Sequence, residues 1–467
     1  MIAPENLALK KDDKFSFISF LLLFTIVSLI IYLAVNNLIL LFVIVSSLFS
    51  IWLAYFYPVV TIILIIVVGQ IVQFELAKVI QSFSGLPIGN LNLRFSDPII
   101  FGIIISIFVK AFIDHASVKR IIYGKGKYFT IFLLYVIIQV IKNWGTYGSY
   151  SFGEFRTYYQ GFLILPYIAL NTKLINERKK LFKVLIILSL SQILIALLKG
   201  AFIQNFSFEA YEKWLSAFGS LALLYGLFAL YMYRKYDNIK ISRAVIILTF
   251  TLGIIILLIA SNRSVWLAGV TGFIFLIFQK EVNIKNQFVL LLVFLSVFVI
   301  AYFLFTTEGY DFRIFFSNRL NAFLDYQNDP TASWRFYIWS SIIQIIPEKL
   351  MFGFGLGGNF DIYIPELNNV LGNSPHNFYL AMLYELGLMG VLLFFIFIVK
   401  YIKDLVKLRT LLLSDNIIRE ISFIVIACLV GYWIAYSTEK DFFTWCYLGL
   451  GFSIIINTKT DIVKNEK

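Results

Sequence analysis

The sequence predicts an all-α, polytopic membrane protein: a bundle of about fourteen transmembrane helices with a long helical loop on the outer side. The chain has 467 residues, of which 60% are hydrophobic and only 14% are charged. A soluble domain needs more polar surface than this composition supplies. Apolar runs recur without the alternation of barrel strands, and each is long enough to cross a hydrocarbon layer about 30 Å thick as a helix.

The predicted helices follow these apolar runs in chain order. The first run follows Lys10, Lys11 and Lys14, is too long for a signal peptide and lacks a small-residue cleavage site, so we expect it to be retained. The predicted spans lie near residues 15–35, 38–54, 59–74, 97–113, 128–142, 157–172, 184–203, 214–233, 244–260, 264–279, 287–305, 376–399, 420–437 and 441–457. They divide the chain into N-terminal transmembrane helices (1–305), a large outer loop (306–375) and C-terminal transmembrane helices with a short tail (376–467).

The distribution of basic residues predicts that both termini are cytoplasmic. With the N-terminus inside, about 26 of the 39 Lys and Arg residues fall in cytoplasmic segments and about 10 fall outside, as the positive-inside rule requires. These residues form no single patch, so the net charge of +12 does not predict nucleic-acid binding. The cytoplasmic connections contain no phosphate-binding Gly-Lys loop, which argues against a nucleotide-using enzyme on that side.

The loop at residues 306–375 is too long for a simple connection, because its roughly 70 residues far exceed the usual length. Its many aromatic residues argue against disorder. Two amphipathic or apolar stretches, near 315–326 and 334–346, predict membrane-proximal helices that lie over the bundle. We therefore expect the working surface of the protein on this side.

His376 is the candidate proton acceptor, since histidine is the side chain best suited to accept a proton near neutral pH. It follows Pro375, which is predicted to open the next helix and to direct the first-turn side chains outward. Asn377, the next residue, is a candidate for substrate binding. The alternative for His376 is a polar residue at a helix start, without a chemical role.

Four arginines lie on the predicted outer side, where positive charge is disfavoured. Arg263 occupies a short turn between two apolar helices, Arg335 lies in an aromatic run, Arg156 opens a predicted span, and Arg319 lies in the long loop. Several guanidinium groups on one face suggest an anionic ligand with planar oxygens, such as pyrophosphate. Taken singly, each also fits a lipid-headgroup anchor, and Arg335 with Trp339 fits a structural cation–π pair.

Other residues receive structural predictions. The glycine-rich run at 353–358 predicts a backbone turn that lines a cavity. Glu385 lies nine residues after His376, nearly on the opposite face of a helix, and is expected to pack between helices. Cys428 and Cys446 fall inside predicted helices and are expected to act as small hydrophobes. The outer loops contain no acidic or histidine-rich cluster, so neither a metal nor another cofactor is predicted.

One set of residues has a distinctive order, spacing and common sidedness. It comprises Ser261-Asn262-Arg263, Arg335, Trp339, Pro347, Gly353-Phe354-Gly355, His376-Asn377 and Glu385-Leu386-Gly387. The set resembles the signature segment of the O-antigen ligase and O-antigen polymerase superfamily, with an Asn inserted into the family's Ser-Arg-type turn. The resemblance covers the stretch from about residue 261 to 390, and the rest of the chain is similar only in hydropathy.

This resemblance implies a metal-independent membrane glycosyltransferase on the outer side of the bacterial cytoplasmic membrane. The enzyme would transfer a glycan from an undecaprenyl-pyrophosphate carrier to an acceptor sugar. Carried over residue by residue, Arg263 and Arg335 would bind the pyrophosphate and His376 would act on the acceptor hydroxyl. Arginines that stabilise the developing charge replace a general acid or a metal ion, and a base helps a neutral hydroxyl to attack.

The acceptor stays open within the superfamily. A polymerase uses a second lipid-linked glycan, which the chain length and number of spans favour slightly, whereas a ligase uses lipid A-core. A protein glycosylase is disfavoured, since we expect no large outer domain after the last span. The implied partners are the lipid-linked donor, the acceptor, membrane lipids, and a chain-length regulator or flippase, with no nucleic acid. An alternative of another class is a lipid-linked oligosaccharide flippase, which predicts that Lys110 and Lys199 line a cavity at the midplane.

Overall fold

The computed structural model describes residues 38–71, 86–88, 91–93, 96–203, 215–236, 242–260, 262–278, 306–307, 310–311, 330–357, 362–364, 369–371, 375–408, 413–435 and 441–464. The architecture is an all-α bundle of apolar helices, as predicted. The predicted spans at 15–35 and 287–305 lie outside the described residues, and every other predicted span overlaps described helical structure.

The α-helices follow one another along the whole described chain. They are α1 (Leu38–Phe56), α2 (Pro58–Ile71), α3 (Ser96–Ile113), α4 (His115–Ile122), α5 (Lys127–Tyr147), α6 (Ser149–Glu154), α7 (Ile164–Asn171), α8 (Ile175–Ile203), α9 (Ala217–Tyr236), α10 (Arg243–Ile259), α11 (Arg263–Phe278), α12 (Pro330–Ile345), α13 (Phe378–Lys407), α14 (Leu413–Ala435) and α15 (Phe442–Lys464). A π-helical turn (Phe155–Tyr159) and two 3₁₀ turns (Gln160–Leu163 and Ile346–Lys349) complete the helical structure of the described residues.

Three short antiparallel hairpins lie in connections that the sequence predicts as loops. They pair β1 (Leu86–Ile88) with β2 (Leu91–Leu93), β3 (Thr306–Thr307) with β4 (Tyr310–Asp311), and β5 (Ile362–Ile364) with β6 (Asn369–Leu371). Each strand has two or three residues, so the hairpins shape loops and add no sheet to the bundle.

Six of the described helices are long and apolar enough to cross a membrane, and several shorter apolar helices lie among them. Helix α5 shows how such a helix divides its surface. Its exposed side chains include Ile131, Leu134, Ile138 and Ile141, at intervals of three and four residues along one face. An apolar face that remains exposed on a transmembrane helix suits contact with lipid tails.

Aromatic and small side chains bring the helices together. Phe129 and Phe132 of α5 contact Phe397 and Phe394 of α13, with ring centroids 5.4 and 5.5 Å apart. Helices α11 and α14 approach closely at Gly272, where an added Cβ would lie 2.5 Å from the Cys428 sulfur. Small residues at such contacts allow transmembrane helices to pack with their backbones close together. The prediction for the two cysteines is confirmed, since both are buried and free.

A buried ion pair joins two helices at the predicted cytoplasmic end. Arg178 of α8 is fully buried and donates from Nε and Nη2 to both carboxylate oxygens of Asp415, over 3.0 and 2.7 Å. Its Nη1 donates to the Lys173 carbonyl at 2.7 Å. Arg178 lies within α8, which begins at Ile175 and is therefore longer than the predicted span at 184–203.

The predicted span at 157–172 is not one regular helix, which corrects the sequence-based expectation. The chain passes from a π-helical turn through a 3₁₀ turn into α7. At Gly161, an added Cβ would lie 2.1 Å from Cδ1 of Trp445, so α15 packs directly against the backbone at the irregular turn. Arg156 therefore lies within a π-helical turn and does not open a span.

Candidate functional site

Helix α13 is broken at Gly387, and a segment of the long loop fills the break. Gly387 has φ 66° and ψ −173°, so the helical hydrogen-bond ladder is interrupted at this residue. The inserted segment, defined here as residues 350–355, supplies new partners. Phe354 and Gly355 donate their backbone N–H groups to the carbonyls of Tyr384 and Glu385, over 2.7 and 3.0 Å.

The second half of α13 in turn donates hydrogen bonds to the inserted segment. The N–H groups of Leu388 and Met389 donate to the carbonyls of Leu350 and Met351, over 2.8 and 3.1 Å. The break lies roughly 13 Å along the helix from Phe378, at the rise of an ordinary α-helix. Irregular backbone at such a depth is tolerated in a membrane only where protein or a wet cavity satisfies its polar groups. The inserted segment meets this requirement.

Glycines make the close approach possible. A Cβ on Gly387 would lie 2.4 Å from the Gly353 nitrogen and 2.6 Å from the Met351 carbonyl. Gly355 has φ 98° and packs against the Asn143 amide of α5, where an added Cβ would lie 2.3 Å from Nδ2. The predicted role of the glycine run is confirmed for Gly353, which belongs to the lining of a cavity of about 600 Å³.

Helix α12 connects this break to His376. Its buried Ile338 and Ile342, with Ile346 of the following 3₁₀ turn, form a small apolar core with Ala381 and Tyr384 of α13. The helix therefore packs alongside the first half of α13. This refines the predicted arrangement, in which the second stretch of the loop lies over the bundle. The first stretch, at 315–326, lies outside the described residues.

The start of α12 lies beside His376. The Trp334 and His376 rings have centroids 5.4 Å apart, and Arg335 is the next residue of the helix. Nε1 of Trp339 donates to the Pro375 carbonyl at 2.9 Å. These two contacts hold the Pro375-His376 segment against α12. Arg335 and His376 are thereby brought to the same end of the bundle.

His376 has an unusual backbone conformation, with φ 50°. A non-glycine residue at positive φ is uncommon, and such strain is often found at functional sites. The residue precedes the helix, since Asn377 is the N-cap and α13 begins at Phe378. The expectation that Pro375 opens the helix and puts His376 in its first turn is therefore wrong. The helical relation between His376 and Glu385 fails for the same reason.

Asn377 has both of its side-chain polar groups engaged. Its Oδ1 accepts from the Leu380 N–H at 3.0 Å, as an N-cap does, and its Nδ2 donates to the Ile434 carbonyl at 3.0 Å. The second bond ties the start of α13 to the end of α14. These contacts give Asn377 a positioning role next to His376.

Arg263 begins α11 at this same end, although its side chain lies outside the described residues. A Cβ on Gly431 of α14 would lie 2.9 Å from the Leu267 carbonyl of α11, whereas Gly272 of α11 lies against Cys428 of α14. The two helices are therefore antiparallel. The start of α11 is therefore level with the end of α14, where Ile434 meets Asn377. Arg319 lies outside the described residues.

The preceding Asn262 fixes this turn. Its Nδ2 donates to the Leu215 carbonyl at 3.3 Å and to Ser220 Oγ at 2.9 Å, near the start of α9. The Asn that interrupts the family-like Ser-Arg turn thus anchors it to a neighbouring helix.

Arg156 and Glu385 are both buried and bonded. Nη1 of Arg156 donates to Asp97 Oδ2 at 2.7 Å, in a pair with side chains 10% and 14% exposed. The Glu385 carboxylate accepts from the Tyr159 hydroxyl at 2.9 Å, and the residue is 1% exposed. The packing role predicted for Glu385 is confirmed. One consequence is that the π-helical turn carrying Arg156 and Tyr159 is tied to the break in α13.

The structure thus gathers His376, Asn377, Arg335 and the start of α11 at one end of the bundle. Sequence reasoning missed the connection from Glu385 to Tyr159 and the insertion of the loop into α13. The available signal was a glycine inside a long apolar span, at Gly387. Among the described residues, no group of three or more His, Cys, Asp and Glu side chains is arranged to hold a metal ion.

The comparisons with known proteins concern the same part of the chain. Residues 248–395 match the sequence profile of a family described as O-antigen ligase. A protein of Rickettsia conorii named "Putative polysaccharide ligase" is 27% identical over 139 residues, which are 28% of this chain and 32% of that protein. The match therefore spans about a third of the relative's length. Residues 248–395, which carry most of the family-like motifs, are therefore similar to O-antigen ligase, and both comparisons support the O-antigen ligase and O-antigen polymerase superfamily for this part of the chain.

Proposed function

We propose that the protein transfers a glycan from an undecaprenyl-pyrophosphate carrier to an acceptor sugar, at the outer face of the bacterial cytoplasmic membrane. The observation that supports this most directly is the strained His376 beside the helix of Arg335, within the segment that matches O-antigen ligase. In the proposed orientation, both termini are cytoplasmic and His376 faces the exterior.

In the proposed reaction the acceptor hydroxyl attacks the anomeric carbon of the donor glycan. His376 accepts the hydroxyl proton, which makes the oxygen a better nucleophile as the new glycosidic bond forms. The bond from the anomeric carbon to the pyrophosphate oxygen breaks, and the pyrophosphate leaves as an anion. Arg335 and Arg263 stabilise its charge, and a planar guanidinium suits two phosphate oxygens at once.

Four variants of the purified protein test this proposal with a lipid-linked repeat unit. His376→Asn removes the basic imidazole, while asparagine tolerates positive φ better than most residues. We expect it to lower the transfer rate about 100-fold or more. Arg335→Ala should also lower the transfer rate by about 100-fold or more. Arg335→Lys should rescue only part of this loss, because lysine keeps the positive charge but lacks the planar guanidinium that binds two phosphate oxygens at once.

Arg120→Ala is the matched control, since this partly buried arginine lies at the opposite end of the bundle and donates to Ser117 Oγ. It should retain full activity. All four variants should elute as folded protein in size-exclusion chromatography. Normal transfer by both His376→Asn and Arg335→Ala would contradict the mechanism.

The reaction product identifies the acceptor. We place the protein with the polymerases, which lengthen the glycan on the lipid carrier. A requirement for lipid A-core would identify a ligase instead, and both matched descriptions use the word ligase. Unaltered substrate that changes leaflet in liposomes would identify a flippase. Lys110, named for that alternative, donates to Asn171 Oδ1 and lies 5.5 Å from the Tyr55 ring centroid.

A further inference from the structure

A cavity distinct from the surroundings of His376 lies between the end of α5 and the inserted segment. Its volume is about 600 Å³, and its lining includes Lys142 and Tyr147 of α5 together with Lys349, Phe352 and Phe354. Trp334, next to His376, lies near the start of α12, and the cavity lies beyond the opposite end of this helix. At the rise of an α-helix, Trp334 and that end are roughly 18 Å apart. The cavity therefore belongs to a different part of the surface from the candidate catalytic residues.

Two ammonium groups face this cavity above aromatic rings. The Lys142 Nζ lies 5.8 Å from the centroid of the Phe352 ring, and the Lys349 Nζ lies 5.0 Å from that of Phe354. The lining also holds the Glu348 carboxylate, which, like every other carboxylate among the described residues, forms no ion pair with either lysine. Both belong to the predicted outer end, where unneutralised positive charge is disfavoured. Two such charges beside an open cavity provide a site for an anion.

The Phe354 ring beneath Lys349 is held in place. Phe354 stacks on Tyr384 of α13, with centroids 4.5 Å apart and planes inclined by 13°. The Phe354 carbonyl accepts from the Tyr147 hydroxyl at 3.4 Å, and its N–H donates into the broken helix. The wall of the cavity is thus fixed by the backbone pairing of the inserted segment. A fixed wall lowers the entropy lost on binding.

The surface next to the lysines is apolar and exposed. Leu350, Met351 and Phe352 at the tip of the inserted segment are 43%, 50% and 51% exposed. Ile138 and Ile141 on the neighbouring face of α5 are 58% and 69% exposed. These exposed apolar side chains lie beside the break in α13 and suit contact with lipid tails. A ligand that enters from the bilayer would find apolar contacts beside two positive charges.

We propose that this cavity binds the phosphate headgroup of a membrane amphiphile, whose hydrocarbon chain lies along Leu350, Met351 and Phe352. Lys142 and Lys349 contact the phosphate oxygens, and Tyr147 lines the cavity beside them. A soluble phosphate would use the two lysines but gain nothing from the apolar surface. The lipid is therefore the occupant that the whole arrangement fits. This inference does not depend on the proposed transfer reaction.

Native mass spectrometry of the full-length protein in detergent tests the proposal. The probes are dioleoyl phosphatidate and dioleoylglycerol, which share their chains and differ in the phosphate. The wild type should retain phosphatidate in preference. The double variant Lys142→Gln/Lys349→Gln should retain it about tenfold less or weaker still, since each lysine contributes to phosphate binding. Both lysines are exposed, so the variant should fold normally.

Lys127→Gln is the matched control, because Lys127 lies at the other end of α5 with its Nζ 4.9 Å from the Tyr128 ring centroid. Its retention of phosphatidate should equal that of the wild type. Met351→Gln should weaken retention of phosphatidate without changing that of inorganic pyrophosphate. Equal retention by the double variant and the wild type would overturn the proposal. Displacement of phosphatidate by pyrophosphate at lower concentration would assign the site to a soluble anion and would overturn the lipid assignment.

Discussion

Replacement of Gly387 by alanine tests whether the inserted segment stabilises the bundle. The backbone at this residue has φ 66° and ψ −173°, a region that only glycine enters readily, so alanine there costs about 1–3 kcal/mol. The new Cβ would also lie 2.4 Å from the Gly353 nitrogen, which is closer than real Cβ contacts. The inserted segment must then move away.

The cost of that movement follows from the hydrogen bonds in the break. Four backbone bonds of 2.7 to 3.1 Å join residues 350–355 to residues 384–389. Each contributes a net stabilisation of about 0.5–1.5 kcal/mol. Loss of two of these bonds together with the backbone strain gives a destabilisation of about 4 kcal/mol, taking the central value of each range.

Reversible unfolding in mixed detergent and SDS micelles measures this free energy. Gly145→Ala is the control: Gly145 lies in α5, and an added Cβ would meet nothing within 4 Å. We expect the control to be neutral or stabilising, by up to about 1 kcal/mol. If Gly387→Ala unfolds at the same SDS fraction as Gly145→Ala, the backbone pairing does not stabilise the fold and the reasoning is refuted.

Two further predictions concern the ion pair between Arg178 and Asp415 and the proposed orientation. Arg178→Ala should destabilise the protein by about 3–5 kcal/mol in the same assay, because it leaves Asp415 as a buried, unpaired charge. The double variant Arg178→Met/Asp415→Leu should recover most of this loss. Lys180→Ala is the control, and it should change the stability little because Lys180 is exposed. A stability of Arg178→Ala equal to that of Lys180→Ala would contradict this. In intact cells, an impermeant maleimide should label Glu348→Cys, on the proposed outer side, and should not label Lys403→Cys, on the proposed cytoplasmic side. Both positions are exposed and the two native cysteines are buried, so the labelling reports sidedness. The reverse labelling would overturn the proposed orientation.

Hydropathy was enough to predict most of the bundle, since a helix in lipid must satisfy its own backbone and bury or expose apolar side chains over its whole length. It did not predict the break at Gly387. A window that averages about nineteen residues does not detect one interrupted turn, and the partners of that turn lie thirty or more residues earlier in the chain. The irregular turn at Gly161 escaped notice for the same reason, because Trp445 belongs to a distant helix.

The candidate site was predictable in its residue types and less so in its geometry. Motif order singled out Arg335 and His376, and the structure brings the helix of one beside the ring of the other. The positive φ of His376 and the capping role of Asn377 depend on contacts with α12 and α14. The partner of Arg156, Asp97, lies 59 residues earlier, and spacing alone gives no means of pairing them.

The attachment of the inserted segment has a consequence for how such chains diverge. Its four bonds to α13 use only main-chain atoms, so they do not depend on which side chains stand at Leu350 and Met351. Those side chains are free to follow the lipid or ligand that they meet. The glycines at 353 and 387 are not free to vary, because each makes room for the other's backbone. We expect distant relatives that share this break to agree at the glycine pair and to differ at the tip between them.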